Sequence, residues 1–151
     1  MTARQSRLLS ANFTAIAHAT EDIGKVEHAL GFLIALVART EIALTRRYLK
    51  GHYGNMITTV SGKLSAKELS PESLSIISQK LSESDKQFLS DCAKSCLDEE
   101  GNLYLRFDKQ EALLGNVRLC QGDPIRMKVK FAPYYDAEAI IRVCRESGLI
   151  S

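Results

Sequence analysis

Tryptophan is absent, proline occurs three times, and the net charge is only +2 over 151 residues. With 45% apolar residues, these scarcities exclude collagen-like, proline-rich and disordered chains. No apolar stretch is longer than Ala29–Ala38, far short of the roughly 20 residues a membrane helix needs. The opening MTARQSRLLSANF holds no long apolar core, so no secretory signal and no membrane association are expected. A cytoplasmic, reducing setting follows, with Cys92, Cys96, Cys120 and Cys144 expected as free thiols that bind no metal. Neither G-x-x-x-x-G-K-[ST] nor G-x-G-x-x-G occurs, and no serine sits in a nucleophile context. His18, His28 and His52 share no metal-ligand spacing, and Asp98, Glu99 and Glu100 read as a solvated turn. No catalytic residue, cofactor or metal is therefore expected.

What is present is a division of charge. Residues 39–63 set Arg39, Arg46, Arg47, Lys50 and Lys63 against Glu41, a net of +4. Residues 64–102 carry a net of −4 and residues 103–130 a net of +3. Two basic segments around an acidic one predict one positive and one negative surface.

The hydrophobic pattern predicts one α+β domain over residues 1–151. Ala11–Ala19 reads as a strand, followed by a helix over about 21–37 that Thr20 would cap. Glu41–Leu49 and Met56–Ser61 alternate as strands around the loop Gly51-His52-Tyr53-Gly54-Asn55. The acidic middle reads as two helices, one starting at Ser70-Pro71-Glu72 and one at the Ser84-x-x-Gln87 box, ending at Gly101-Asn102. Leu103–Asp108 is a strand, Asp108-x-x-Glu111 caps a short helical turn, and Val117 and Leu119 continue as strand. Ile125–Phe131 alternates most clearly, and Asp136 caps a last helix that Gly148 closes. Short loops between neighbouring strands argue antiparallel pairing. Helical blocks gathered on one face leave the other bare: a two-layer open sheet.

Alternation puts Arg126, Lys128 and Lys130 on one face, about 7 Å apart, a spacing that suits successive phosphates. Arg106 and the ring of Tyr104 would join them from the neighbouring strand, with Arg46, Arg47 and Lys50 from a third. Arg46 and Arg47 point to opposite faces in a regular strand, so at most one of the two belongs to that surface unless the strand twists or ends there. In the glycine-containing loop, His52, Tyr53 and Asn55 offer hydrogen bonds and a stacking ring beside an anion.

Four ordered stretches carry a resemblance. They are His18-Ala19-Thr20-Glu21-Asp22, Gly51-His52-Tyr53-Gly54-Asn55, Leu103-Tyr104-Leu105-Arg106-Phe107-Asp108-Lys109-Gln110-Glu111-Ala112 and Asp123-Pro124-Ile125-Arg126-Met127-Lys128-Val129-Lys130. Together they resemble the archaeal family of predicted RNA-binding, exosome-associated proteins with a ribosomal protein L5-like fold. The resemblance spans residues 10–145 and implies an archaeal cytoplasmic protein of RNA processing or ribosome-related metabolism. The expected function is non-catalytic RNA binding, with Arg46, Arg47, Lys50, His52, Tyr53, Asn55, Tyr104, Arg106, Lys109, Arg126, Lys128 and Lys130 as the binding residues. The expected partners are RNA, a protein complex of RNA processing and a second copy of the chain. Two other readings stand beside it: a protein-interaction subunit docking through its sheet face or edge, and a small enzyme acting on a phosphorylated metabolite near His52.

Overall fold

A computed structural model describes residues 8–51 and 54–151. Five strands form one antiparallel sheet: β1 Leu8–Ala17, β2 Thr45–Lys50, β3 Met56–Ser65, β4 Asn102–Phe107 and β5 Ile125–Phe131. Their order across the sheet is β2-β3-β1-β5-β4. The helices are α1 Ile23–Val37, α2 Ser73–Lys80, α3 Glu83–Cys92, α4 Lys109–Leu113 and α5 Ala137–Ser147, with a 3-10 turn at Ala93–Cys96. The α+β open sheet read from the sequence is the one observed.

Period two decides which side of each strand meets the helices. Ala11, Phe13, Ala15 and Ala17 of β1 lie buried beside Val60 and Leu64 of β3 and Met127 and Val129 of β5. Leu103, Leu105 and Phe107 complete that side at β4. Against them α1 buries Val26, Ala29, Leu30, Leu33, Ile34 and Val37, the stripe its 3.6-residue period prescribes. Side chains as large as Phe13, Phe107 and Met127 are fully enclosed, and each contributes roughly 1.5–3 kcal/mol. Gly62 permits the closest approach: a Cβ there would stand 2.5 Å from Ile34 Cδ1 and 3.0 Å from Leu44 Cδ2.

Several boundaries differ from the sequence reading. β1 runs Leu8–Ala17 rather than 11–19, because a turn closes at His18, where the Glu21 amide donates to the His18 carbonyl at 2.9 Å. Asp22, not Thr20, caps α1 by accepting from the amides of Gly24 and Lys25. β2 begins at Thr45, where pairing with Ser61 starts. β3 continues through Gly62 to Ser65, because both residues still pair with β1. Ser70 accepts from Glu72 N in a turn, and α2 begins only at Ser73. Ser82, rather than Ser84, caps α3 through the Asp85 amide. Leu119 makes a single bridge to Phe107 instead of a strand.

The two outer edges of the sheet are treated differently. On β4, Asp98 N donates to Asn102 O, Cys120 N to Arg106 O and Asp108 N to Arg118 O, at 2.9–3.1 Å. Bridges from Leu97 and Leu119 reinforce that cover. The outer edge of β2 has no strand partner among the described residues, and all six of its residues are exposed.

Candidate nucleic-acid interface

The helix-free face takes the alternate residues of each strand. In register across the sheet, Thr45, Ser61, Thr14, Arg126 and Arg106 form one row. Lys63, Asn12, Lys128 and Tyr104 form the next, and Ser65, Ser10, Lys130 and Asn102 the one after. Arg47, Thr59 and Ile16 lie on the other side of the first row. Arg47, Lys63, Arg106, Arg126, Lys128 and Lys130 therefore share this face. No Asp or Glu occupies any strand position on it. Among the described residues none of the six has a carboxylate partner. Arg106 stands directly across from Arg126. Like charges placed opposite each other in a ladder destabilise it by up to about 1 kcal/mol, so folding alone gives no reason for this pair.

Tyr104 is half-buried on the same face and is tethered rather than free. Its hydroxyl donates to Asp98 Oδ2 at 3.0 Å, and Lys128 Nζ lies 6.0 Å from the ring centroid. Asp98 also accepts from Glu100 N, Asn102 N and Asn102 Nδ2 at 2.8–2.9 Å. Burial would raise the Asp98 carboxyl, but these donors outweigh it and bring the pKa down to about 2. The Tyr104 phenol is raised, by burial first and then by the Asp98 carboxylate.

Four expected binding residues are placed elsewhere. Arg46 points to the helix side, where Nε and Nη2 donate to Glu27 at 2.7 and 2.8 Å. That pairing lowers the Glu27 carboxyl, chiefly through the hydrogen bonds from Arg46. Lys50 pairs with Met56 in the same side-chain register as Arg46, opposite Arg47, so it leaves the cationic face. Lys109 is only 12% exposed. Its ammonium donates to Ile16 O at 2.8 Å and Glu21 at 3.0 and 3.1 Å, and pairs with Asp123 at 2.8 Å. His18 Nε2 approaches Asp123 Oδ1 at 3.1 Å, and the group forms a clasp joining the end of β1, the start of α1, α4 and the turn before β5. Tyr104, held as described, is not the open stacking surface expected of it. Asn55 is exposed in the β2–β3 loop, where its carbonyl accepts from Gly51 N. His52 and Tyr53 lie outside the described residues.

Sequence reasoning missed Lys63 and the polar row of Ser10, Asn12, Thr14, Thr59 and Ser61. The signal for Lys63 was present: Thr59, Ser61, Lys63 and Ser65 alternate without a break once the strand is carried through Gly62.

The four cysteines are free, with Cys92 Sγ and Cys96 Sγ 4.0 Å apart. Burial pushes the Cys96 thiol up to about 11 and that of Cys144 to about 12. Among the described residues no helix is long and apolar enough to cross a membrane.

An open antiparallel sheet, covered on one side and set with unneutralised cations and hydroxyls on the other, defines a two-layer domain with a face complementary to a polyanion. A family model described as RNA binding matches residues 10–131, and the chain belongs to that family. It is 33% identical over 133 residues to the RNA-binding protein PAB1135 of Pyrococcus abyssi, covering 85% of this chain and 86% of that protein. Protein AF2318 from Archaeoglobus fulgidus has a similar crystal structure, with a TM-score of 0.76, 29% identity and coverage of 93% of this chain and 99% of that one. Mth689 from Methanothermobacter thermautotrophicus is similar at a TM-score of 0.71 and 27% identity, covering 93% of this chain and 98% of that one.

Proposed function

We propose that the protein binds RNA backbone through the open face of its sheet, without catalysing a reaction on it. The observation that carries this reading is the facing pair Arg106 and Arg126, flanked by Lys128 and Lys130, with no carboxylate on the strands of that face. Phosphates supply the missing counter-charge, and contacts to phosphate position RNA without reading its sequence. Membership of the RNA-binding family and similarity to an archaeal RNA-binding protein support the choice of RNA over other polyanions. A role in RNA processing, within an exosome- or ribosome-related complex in the cytoplasm, is the finer reading that the family resemblance adds.

A second reading, docking of a protein, is favoured by one feature: the unpaired outer edge of β2, with Tyr48, Leu49 and Met56 exposed beside it. The edge takes an extended partner segment or a second copy by strand addition.

The test is a salt series of RNA affinity for the parent and for the triple variant Arg126→Ala, Lys128→Ala, Lys130→Ala. Each neutralised phosphate contributes about 0.7 to 0.9 to the slope of log affinity against log salt. The variant should flatten that slope by about two to three units, with folding intact because these strand positions are at the surface. An unchanged slope and affinity in the folded variant would remove the proposal and leave the protein-docking reading.

A further inference from the structure

The layout of the open face across its width is as informative as its charge. The cations stand in two bands: Arg106, Arg126, Lys128 and Lys130 on β4 and β5, and Arg47 and Lys63 on β2 and β3. Between the bands β1 presents Ser10, Asn12 and Thr14, and the neighbouring β3 adds Thr59 and Ser61 in register beside Ile16 and Thr14, on the same strand as Lys63. Lys128 and Lys63 both pair with Asn12, one from each side, which sets the bands about 10 Å apart by two strand spacings. The side chains of Asn12, Thr14, Thr59 and Ser61 make no hydrogen bond to another described residue. They are free to meet a ligand.

Aromatic side chains are correspondingly scarce. Tyr104 alone among the described strand residues of this face has a ring, and its hydroxyl is held by Asp98. Tyr48 lies on the opposite side of β2, and Tyr134 sits in the turn after β5. Proteins that hold single strands combine a groove tracking one backbone with rings on which bases stack. An A-form duplex presents two backbones, with 2′-hydroxyls between them across a wide, shallow minor groove. Two cation bands around a row of hydroxyls and an amide match the duplex and not the single strand.

We infer that the face takes double-helical RNA, with one cation band on each backbone and the Asn12 row on the 2′-hydroxyls between them. The inference rests on the reading of this face as the RNA surface and adds the class of RNA.

Anisotropy titrations at matched salt would compare an RNA duplex of about 20 base pairs, one of its strands alone, and the DNA duplex of the same sequence. The RNA duplex should bind about tenfold or more tighter than either, the equivalent of one or two hydrogen bonds. The double variant Asn12→Ala, Ser61→Ala should bring RNA-duplex affinity down to that for the DNA duplex, while DNA affinity and both salt slopes stay unchanged. A single strand bound as tightly as the duplex would overturn the inference and leave the basic face as the RNA surface. Failure to bind any of the three would overturn the reading beneath it. Equal weakening of RNA and DNA duplexes in the double variant would remove the hydroxyl row from recognition.

Discussion

Replacing Lys109 with methionine separates a structural cation from a ligand-binding one. The lysine opens α4, where a positive charge runs against the helix dipole. Its position is explained by the four oxygens around it, one from Ile16, two from Glu21 and one from Asp123. Methionine keeps the apolar stem but leaves carboxylate oxygens of Glu21 and Asp123 within 4.8 Å of each other. Two unit charges at that separation repel by about 1 kcal/mol in water and about 3.5 kcal/mol at an effective dielectric of 20. Their side chains are 32% and 48% exposed, which places the repulsion near the lower figure, about 1–2 kcal/mol. Losing the hydrogen bond to the Ile16 carbonyl adds about 1 kcal/mol. The sum, about 2–3 kcal/mol, corresponds to a fall in Tm of about 4–12 °C for a chain of this size. The deficit should also depend on pH. Burial would raise the Asp123 carboxyl, but hydrogen bonds from Lys109 and His18 hold it below its ordinary value. Its contribution is therefore complete above the unfolded pKa of about 3.9 and is lost as pH falls through the lower folded value. The variant should be least stable relative to the parent near neutrality and approach it in acid. Thermal unfolding followed by circular dichroism at several pH values measures this. A Tm within about 1 °C of the parent, or a deficit that does not shrink in acid, would refute the clasp. So would a salt slope of RNA binding that falls by about one unit with stability unchanged.

Gly62→Ala forces Ile34 and Leu44 apart and should cost about 1–3 kcal/mol, read as a lower denaturant midpoint at unchanged m-value; an unchanged midpoint would show that the α1 contact is loose. Arg47→Ala should flatten the RNA salt slope by about 0.7–0.9, whereas Arg46→Ala should leave it unchanged, because Arg46 is bound to Glu27 on the other side of the sheet; equal effects would mean that β2 does not present its side chains as described. Asp98→Asn replaces an acceptor of four hydrogen bonds and should destabilise by about 1–3 kcal/mol near pH 7. That gap should narrow below pH ~4 as the parent carboxyl protonates toward its pKa of about 2, and ultraviolet titration should find the Tyr104 phenol moved down toward its ordinary value.

The elements most legible in the sequence were those whose local signals and tertiary contacts agree. β5 alternates cleanly because one side is core and the other solvent, and the caps at Asp108 and Asp136 bond the Glu111 and Ala139 amides as their spacing implies. Gly148 closes α5 in the left-handed region at φ 89°. Gly62 misled for a tertiary reason: locally a glycine ends a strand, but here it clears room for Ile34. The same misreading hid Lys63. Arg46, Lys109 and Tyr104 were misplaced because a cation or a ring looks the same in sequence whether solvent or a distant acid faces it. Their partners Glu27, Glu21, Asp123 and Asp98 come from other elements, and only the packed fold brings them within reach. Periodicity did separate Arg46 from Arg47, since alternation within one strand is a local property.

The unequal edges of the sheet limit how these molecules can assemble. With β4 bonded along its outer side by Asp98, Cys120 and Asp108, strand addition is left to β2 alone among the described residues. A chain with one adhesive edge is monovalent. Two copies meeting edge to edge about a two-fold axis would use up both free edges and close, whereas fibre growth needs a donor edge and an acceptor edge on every subunit. Arg47 and Lys50 on that edge add mutual repulsion between copies. Among the described residues, edge-to-edge growth therefore ends at a pair, a closed unit with no free strand edge left to template a further copy.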